Sequence, residues 1–486
     1  MDKYDHQFFG HPRGLSTLFF TELWERFSYY GMRAILLFYM LDKIKNGGLA
    51  IDAPLGASIM AIYGALVFMS SVVGGFVSDR ILGPRRTVLY GGILIMFGHI
   101  VLSTPMGMIG LLLSILLITM GTGLLKPNVS DMVGGLYSKT DSRRDAGFTI
   151  YYMGINIGAL IAPWIVGWLG QTYNYHLGFS IAAIGMFVGL LQYYFNGRKY
   201  LSDDGLKPTD PLNSDSAKNV IKGIILGLIA LAIILGIMGI TGEFSITNII
   251  LLITIVGVVL PVVYFTVIIR SSKVTDPERK RIYAYIFLFI ASIVFWSIYE
   301  QGSVVLALFA SSQTNLHILG MHIEPSQLQS VNALFVIMYT PMFAFLWTKL
   351  GKRQPSSPNK FAIGMVFAGI SFLVMVIPVA LFGTSAKVSP FWLILCWGLV
   401  EVGEMLISPV GLSLTTKLAP KAFQAQMMSV WFLGDAAAQS INAQIVRFYQ
   451  PETEIAYFST FGIIAILVGL LLFAFRNRLQ RLIQVV

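Results

Sequence analysis

The segment Glu22–Arg33, which reads ELWERFSYYGMR, places four ionisable side chains in a stretch that is otherwise apolar enough to cross a bilayer. A charged side chain at the centre of a bilayer costs about 3 kcal/mol or more, so four of them on one span require a compensating environment. At about 100° per residue, these charges and the two tyrosines between them share an arc of about 140° of a helix surface. The helix must therefore turn this face toward a watery cavity lined by protein.

The composition of the whole chain is that of a membrane protein. Of its 486 residues, 56% are hydrophobic and only 12% are charged, whereas soluble domains carry about 25% charged residues. Windows of about 20 apolar residues predict an all-α polytopic membrane protein with fourteen transmembrane helices. The predicted spans are 15–41, 56–78, 87–103, 109–131, 146–169, 177–195, 220–240, 247–269, 282–310, 327–348, 361–382, 390–416, 423–446 and 455–475.

The loop charges predict the orientation of these spans. Most of the 34 basic residues fall in loops on the same side as the N-terminus, and basic loops face the cytoplasm. We therefore expect a multi-pass protein of the cell membrane with both termini in the cytoplasm. The net charge of +10 then fits contact with anionic membrane lipids, and we expect no nucleic acid as a partner.

Two polar, basic stretches divide the chain. They cover residues 196–222 and 270–281 and enclose two spans without ionisable residues. We predict an N-terminal six-helix bundle in residues 1–196 and a C-terminal six-helix bundle in residues 282–486. Residues 197–281 are predicted to hold cytoplasmic linkers and two additional transmembrane helices.

A loop motif between the second and third spans supports this layout. Gly74–Arg86 reads GGFVSDRILGPRR and resembles the signature of the major facilitator superfamily. That resemblance implies two parallel six-helix halves around a central cavity. The two additional central helices bring the expected total to fourteen.

The depth of the charged residues in their spans predicts two ion pairs. Arg33 and Glu300 both lie about 28 Å along outward-running helices at 1.5 Å per residue, so they can meet near the outer surface. Lys126 and Glu404 lie late on inward-running helices and can approach each other on the cytoplasmic side. Pairs at opposite ends of one cavity are suited to alternating gates, although structural ion pairs between helices remain an alternative.

Five short motifs follow one another along the chain. The motifs are Glu22–Gly31 (ELWERFSYYG), Gly121–Asn128 (GTGLLKPN), Phe148–Leu160 (FTIYYMGINIGAL), Glu300–Ser303 (EQGS) and Gly403–Pro409 (GEMLISP). In this order they resemble those of the proton-dependent oligopeptide transporter family. The resemblance covers almost the whole chain, and it includes the two extra central helices of bacterial members.

The resemblance implies a bacterial symporter that imports di- and tripeptides with protons. Such a peptide is a zwitterion, and the resemblance assigns its amino end to Glu404, Asn156 and Asn332. Its carboxyl end would be held by cationic and phenolic groups. The residues implied at the carboxyl end are Arg33, Lys126, Tyr29 and Tyr30. Trp296 and Trp431 would line pockets that accept many different peptide side chains.

Spacing and resemblance together suggest where protons bind. A proton on Glu300 would neutralise this carboxylate and release Arg33 for the substrate. Glu22 and Glu25, one turn from Arg26 on the same helix face, form a second candidate proton site.

Other functions stay open or are disfavoured. The same fold could carry nitrate, an amino-acid derivative or a peptidomimetic drug, and a peptide sensor without transport is a further alternative. We expect neither an enzyme nor a metal site or cofactor, because the spans show no nucleophile–base or metal-ligand spacing. We expect a monomer driven by the proton gradient.

Four residues depart from the family pattern or lie outside it. Position 68 is Phe where close relatives carry Tyr, and position 299 is Tyr where some carry Glu. Glu401 and Asp435 are additional acidic residues within spans. The sequence assigns them no role, although Glu401 lies three residues before Glu404 on nearly the same helix face.

Overall fold

The computed structural model describes residues 5–138, 141, 143–318 and 320–484, so the outermost residues of the two predicted end domains lie outside it. The helices of the first part are α1 (Arg13–Leu41), α2 (Ala53–Val77), α3 (Pro84–Leu102), α4 (Gly107–Gly135), α5 (Arg144–Ala162), α6 (Trp168–Thr172), α7 (Tyr175–Tyr200), α8 (Ser214–Ile240) and α9 (Ile246–Arg270). They are followed by α10 (Asp276–Glu300), α11 (Val305–Gln313), α12 (Ser330–Leu350), α13 (Ser357–Phe382), α14 (Phe391–Leu418), α15 (Gln424–Ile445) and α16 (Glu454–Gln484). A short antiparallel hairpin pairs β1 (His317–Ile318) with β2 (Met321–His322).

Every predicted span overlaps one of these helices, and local sequence explains several of their ends. Asp52 caps α2 by accepting a hydrogen bond from the Leu55 amide at 3.2 Å, and α3 begins directly at Pro84, which suits the first helical turn. α5 continues into α6 through the π-helical turn Pro163–Gly167, so the two form one long span. At most of their ends, the helices extend a few residues beyond the predicted spans.

Within the described chain, twelve helices are long and apolar enough to cross a membrane. α1 and α15 do not belong to this set. α1 carries the four charges of Glu22–Arg33, and α15 carries Asp435 together with several amide side chains. Polar side chains of this kind lower the hydropathy of a helix, which is why its composition does not identify it as a span.

The helices pack into two groups. In the first half, α1–α7, the closest packing joins α3 to α4, α1 to α7 and α5, and α2 to α4. In the second half, α10–α16, it joins α13 to α14 and α16, and α10 to α15. α2 packs on α15 and α5 on α12, which connects the two halves.

The two central helices differ in their surroundings. α9 packs against α15 and α2. The apolar window of α8 has none of its residues buried, as expected of a helix surrounded by lipid. Neither helix contributes an ionisable side chain between the two halves.

Hydrogen bonds between the halves gather at one end of the molecule, which we call the closed end. It is the end where α1 and α5–α6 finish and α12 begins. The bonds join Trp164 to Ser330 (2.9 Å), Gln171 to the Ser326 amide (3.1 Å), Thr172 to Glu324 (3.1 Å), Gln329 to the Ala34 carbonyl (3.3 Å) and Arg447 to Ser58 (2.9 Å).

A cavity lies between the halves and opens toward the opposite end, which we call the open end. Tyr152, in the middle of α5, lies close enough to Glu22 of the first half and Glu404 of the second to interact with both charges. Its side chain is nevertheless 56% exposed. A residue between the charges of both halves that remains accessible to solvent must line an open cavity.

Close helix packing in the first half depends on glycines. A Cβ atom added to Gly121 of α4 would lie 2.5 Å from the Gly91 carbonyl oxygen of α3, and one added to Gly91 would lie 2.7 Å from the Gly121 carbonyl oxygen. The backbones of α3 and α4 are therefore in contact at these glycines, and there is no room for a side chain. A larger residue would have to push the two helices apart, because backbone atoms cannot rotate away as a flexible side chain can.

We expect Gly91→Ala and Gly121→Ala to lower the unfolding free energy in detergent by about 1–3 kcal/mol, because overpacking forces the helices apart. Gly227→Ala in α8 is the matched control, since nothing lies within 4 Å of that position and alanine favours a helix over glycine. Thermal unfolding would measure all three. Equal melting temperatures for Gly121→Ala and the control would contradict the packing described for α3 and α4.

Candidate functional site

The charged face of α1 is buried, and one arginine on it contacts two glutamates. Arg26 Nε lies 2.8 Å from Glu22 Oε1 and 2.7 Å from Glu25 Oε2. Glu25 has no exposed surface. One guanidinium thus serves two carboxylates, so this cluster carries a net negative charge when both acids are ionised and can accept a proton.

Tyr29 lies between the two arginines of α1. Its ring centroid is 5.5 Å from Arg26 Cζ and 5.9 Å from Arg33 Cζ, which are cation–π distances. Tyr29 is buried, whereas Tyr30 is only half-buried and packs edge-on against Tyr29 at 5.3 Å. The geometry makes Tyr29 a support for the arginines and leaves Tyr30 as the tyrosine that can reach the cavity.

Arg33 and Glu300 form the predicted ion pair across the two halves. Arg33 Nη2 donates to Glu300 Oε2 at 2.6 Å, and each side chain is 9% exposed. The pair joins α1 to the last residue of α10 next to the hydrogen bonds of the closed end. The depth of the two residues in their spans therefore predicted this contact correctly.

The predicted pairing of Lys126 with Glu404 is not formed in this conformation. Lys126 Nζ lies 4.3 Å from the centroid of the Phe68 ring, and the acids whose charges act on it are Asp435, Glu25 and Glu22. Glu404 instead accepts a hydrogen bond from Tyr299 within its own half.

Helix packing explains this difference. α15, which carries Asp435, packs against α2 of the first half, whereas α14, which carries Glu404, has its main contacts with α12, α13, α10 and α15 in the second half. Asp435 is thus the acid of the second half that faces Lys126. Depth alone could not distinguish these two acids, because depth contains no information about which helix faces which.

An acidic cluster occupies the second half. Tyr299 Oη donates to Glu404 Oε2 at 3.1 Å and lies 3.4 Å from Asn332 Oδ1. Asn332 Nδ2 donates to Glu401 Oε1. The structure thereby brings together two of the three residues predicted to hold an amino group, and it adds Tyr299 and Glu401. The spacing of three residues between Glu401 and Glu404 was the sequence signal for that addition.

Asn156, the third residue of that predicted set, is not in hydrogen-bond contact with Glu404 or Asn332 in this conformation. Its side-chain amide donates to the Tyr152 carbonyl oxygen of its own helix at 3.0 Å. Asn156 is half-buried on α5 in the first half. Its predicted role with Glu404 therefore requires the halves to approach each other or a ligand to bridge them.

The two predicted pocket tryptophans occupy different environments. Trp296 is half-buried and packs edge-on against Tyr299 at 5.2 Å, beside the acidic cluster. Trp431 is only 4% exposed, and its indole lies directly on Gly411 of α14. Trp296 keeps accessible surface beside the acidic cluster, whereas Trp431 packs α15 against α14 in this conformation.

The site as a whole has two poles of opposite charge. Arg33 and Lys126 supply cations on the first half, and Glu404 with Glu401 supplies carboxyl groups on the second. A ligand with an ammonium and a carboxylate could bridge these poles across the open cavity. Aromatic rings lie beside both poles: Tyr30 packs on Tyr29, Phe68 lies against Lys126, and Trp296 packs on Tyr299.

Known proteins share both this sequence and this fold. Residues 85–464 match the sequence profile described as the POT family. The chain is 52% identical to the uncharacterized transporter YclF of Bacillus subtilis, with 95% of this chain and 93% of that protein aligned. It is 46% identical to a di-/tripeptide transporter of Lactococcus lactis subsp. cremoris, with 99% and 98% aligned.

A solved structure agrees with the fold. The crystal structure of a mutant of a peptide transporter POT in complex with alafosfalin superimposes with a TM-score of 0.95 at 51% identity. The superposition covers 99% of this chain and 98% of that chain. The resemblance of the five sequence motifs is therefore confirmed, and this chain is a multi-pass membrane protein that belongs to the POT family.

Proposed function

We propose that this protein is a proton-coupled symporter that imports di- and tripeptides by alternating access. Its relatives include a protein named as a di-/tripeptide transporter and one crystallised with alafosfalin. The observation that carries the proposal is the buried Arg33–Glu300 pair, which joins the two halves at the closed end of a cavity with two charged poles.

The proposed topology has fourteen membrane spans. α1 and α15 join the twelve apolar helices as spans, because their polar faces turn inward between the halves and lipid meets only their apolar sides. Residues 1–196 and 282–486 form the two six-helix bundles, and residues 197–281 contain the linkers and the additional helices. The positive-inside rule places both termini in the cytoplasm.

With this orientation, the closed end faces outward and the open end faces the cytoplasm. The conformation is then inward-open. Arg33 with Glu300, and the hydrogen bonds around Trp164 and Thr172, close the outer gate. When this gate opens, Lys126 approaches Glu404 and closes the inner gate.

The two poles account for recognition of a peptide. Glu404, with Asn332 and Asn156, holds the amino end, and Arg33 with Lys126 attracts the carboxyl end. Aromatic walls contribute apolar contacts that discriminate weakly between side chains, since one methylene changes the binding free energy by only about 1–3 kcal/mol. Broad selectivity among short peptides follows.

Protons supply the driving force without a cofactor. A proton on Glu300 removes the partner of Arg33, and removing one partner from a buried ion pair is costly enough to favour opening of the gate. Arg33 is then free for the peptide carboxylate. Glu22 and Glu25 beside Arg26 form the second proton site. The protein works as a monomer surrounded by membrane lipids.

We expect purified protein in liposomes to accumulate labelled dialanine when the outside is made acidic. Glu300→Gln should reduce this accumulation at least tenfold, because an amide cannot carry the proton. Counterflow exchange of dialanine without a pH gradient should persist in the variant, since that exchange requires no net proton movement.

Glu452→Gln is the matched control for that experiment, because Glu452 lies in an exposed loop remote from the cavity. It should accumulate dialanine as the unmodified protein does. Gradient-driven accumulation by Glu300→Gln at the unmodified level would contradict the proposed coupling.

The same pair should control the outer gate. Spin labels at Lys45→Cys and His317→Cys, in a Cys396→Ala background, report the separation of the halves because both positions are exposed at the closed end. Glu300→Gln should increase the population with a long distance, since it removes the charge that holds Arg33. Double electron–electron resonance would measure the distance distribution.

Asp276→Asn provides the control for that measurement. It removes an exposed ion pair with Arg279 (2.6 Å) on the same helix, and exposed pairs contribute about 0–1 kcal/mol. The distance distribution should therefore remain that of the labelled parent. If Glu300→Gln gave the same distance distribution as the labelled parent, the Arg33–Glu300 pair would not be what keeps the outer gate closed.

A further inference from the structure

Two carboxyl groups of α14 lie one helical turn apart inside the protein. Glu401 has no exposed surface, and it comes three residues before Glu404 on nearly the same helix face. The Tyr299 hydroxyl lies 3.1 Å from Glu404 Oε2 and 3.4 Å from Asn332 Oδ1, and the Asn332 amide donates to Glu401. One chain of hydrogen bonds therefore links the two carboxyl groups.

Each carboxyl group has one neutral donor from another helix. The Asn332 amide of α12 donates to Glu401 Oε1, and the Tyr299 hydroxyl of α10 donates to Glu404 Oε2 at 3.1 Å. These bonds orient the two side chains toward each other. They supply no positive charge.

The remaining titratable groups around the pair are acids or phenols. Glu300 of α10 lies close enough to Glu404 for their charges to repel each other, and Glu404 lies equally within electrostatic range of Tyr152 on α5. Glu401 is within electrostatic range of the Tyr339 phenol on α12. α13 and α15 also pack on α14, but their ionisable groups are engaged elsewhere: Lys360 of α13 lies over the Trp347 ring, and Asp435 of α15 faces Lys126.

This environment does not favour two negative charges. Two carboxylates that lie close together tend to share a proton because their like charges repel, and the effect grows in a site shielded from water. With one proton bound, the pair has a single negative charge shared between Glu401 and Glu404. That charge is what the second half presents to an empty cavity.

We propose that Glu401 and Glu404 share one proton in the empty cavity and that the ammonium group of an incoming substrate displaces this proton. The inference rests on the proposed peptide transport and identifies the group that exchanges with the substrate amine. Glu401 is thereby a positioning residue that makes Glu404 a proton-exchanging site.

The step balances in atoms and charge. The O–H bond of the shared proton breaks, and the proton passes to water in the cavity, which is open to solvent. The ammonium keeps its three protons and pairs with the Glu404 carboxylate, while the Glu401 carboxylate remains ionised one helical turn away. The charge of the site, one negative before binding when it holds the proton, is unchanged once the ammonium has replaced that proton.

Isothermal titration calorimetry with dialanine tests the proposal. Titrations in two buffers of different ionisation enthalpy at the same pH give the number of protons released on binding. The unmodified protein should release protons, and Glu401→Gln should release fewer, with a difference approaching one. The glutamine preserves the size of the side chain and its acceptor for Asn332, and it can donate its own amide to Glu404.

Glu454→Gln is the matched control, because Glu454 is also a buried carboxyl group but lies at the closed end beside Gln313 and Tyr449. It should release as many protons as the unmodified protein. Equal release by Glu401→Gln would overturn the inference while leaving peptide binding intact. Failure of the unmodified protein to bind dialanine would overturn the proposed function itself, and this inference with it.

An independent measurement avoids dependence on the folding of the variant. Infrared difference spectroscopy of the unmodified protein should show the loss of a protonated-carboxyl C=O band when dialanine binds. A spectrum without such a loss would overturn the proposal.

Discussion

The Arg33–Glu300 ion pair is the interaction on which the arrangement of the two halves depends. Its N–O distance is 2.6 Å and both side chains are nearly buried, so neither charge can be left alone without a cost of about 3–5 kcal/mol. The pair lies where α1 and α10 approach each other, beside the hydrogen bonds that join α5–α6 to α12. Closure at this end leaves the cavity accessible from the other end.

The same constraint explains how the other charges are distributed. Cations of the first half have acids within reach, since Arg26 is held by Glu22 and Glu25 and Lys126 faces Asp435. Glu401 and Glu404 differ, because their neighbours are neutral donors and acids. If the protein transports peptides as proposed, this asymmetry suits the second half to bind a substrate ammonium and a proton.

Much of the fold and part of the site could be predicted from sequence. Hydropathy located the helices because burial in lipid acts on about 20 consecutive residues, and depth along the helices predicted the Arg33–Glu300 contact. The proximity of Lys126 to Asp435 in this conformation was not predicted, since the packing of α15 on α2 is not encoded in any local pattern. The packing of Trp431 on Gly411 was not predicted either, because it is also a contact between two helices.

A pH titration of the unmodified gate tests the central claim most directly. The sample is the spin-labelled protein in liposomes, with Glu300 unchanged. As the pH is lowered, the population with a long distance at the closed end should grow, because protonation of Glu300 releases Arg33. If the distance distribution stayed the same across the titration, the ion pair would not be the proton-sensitive element that holds the two halves together.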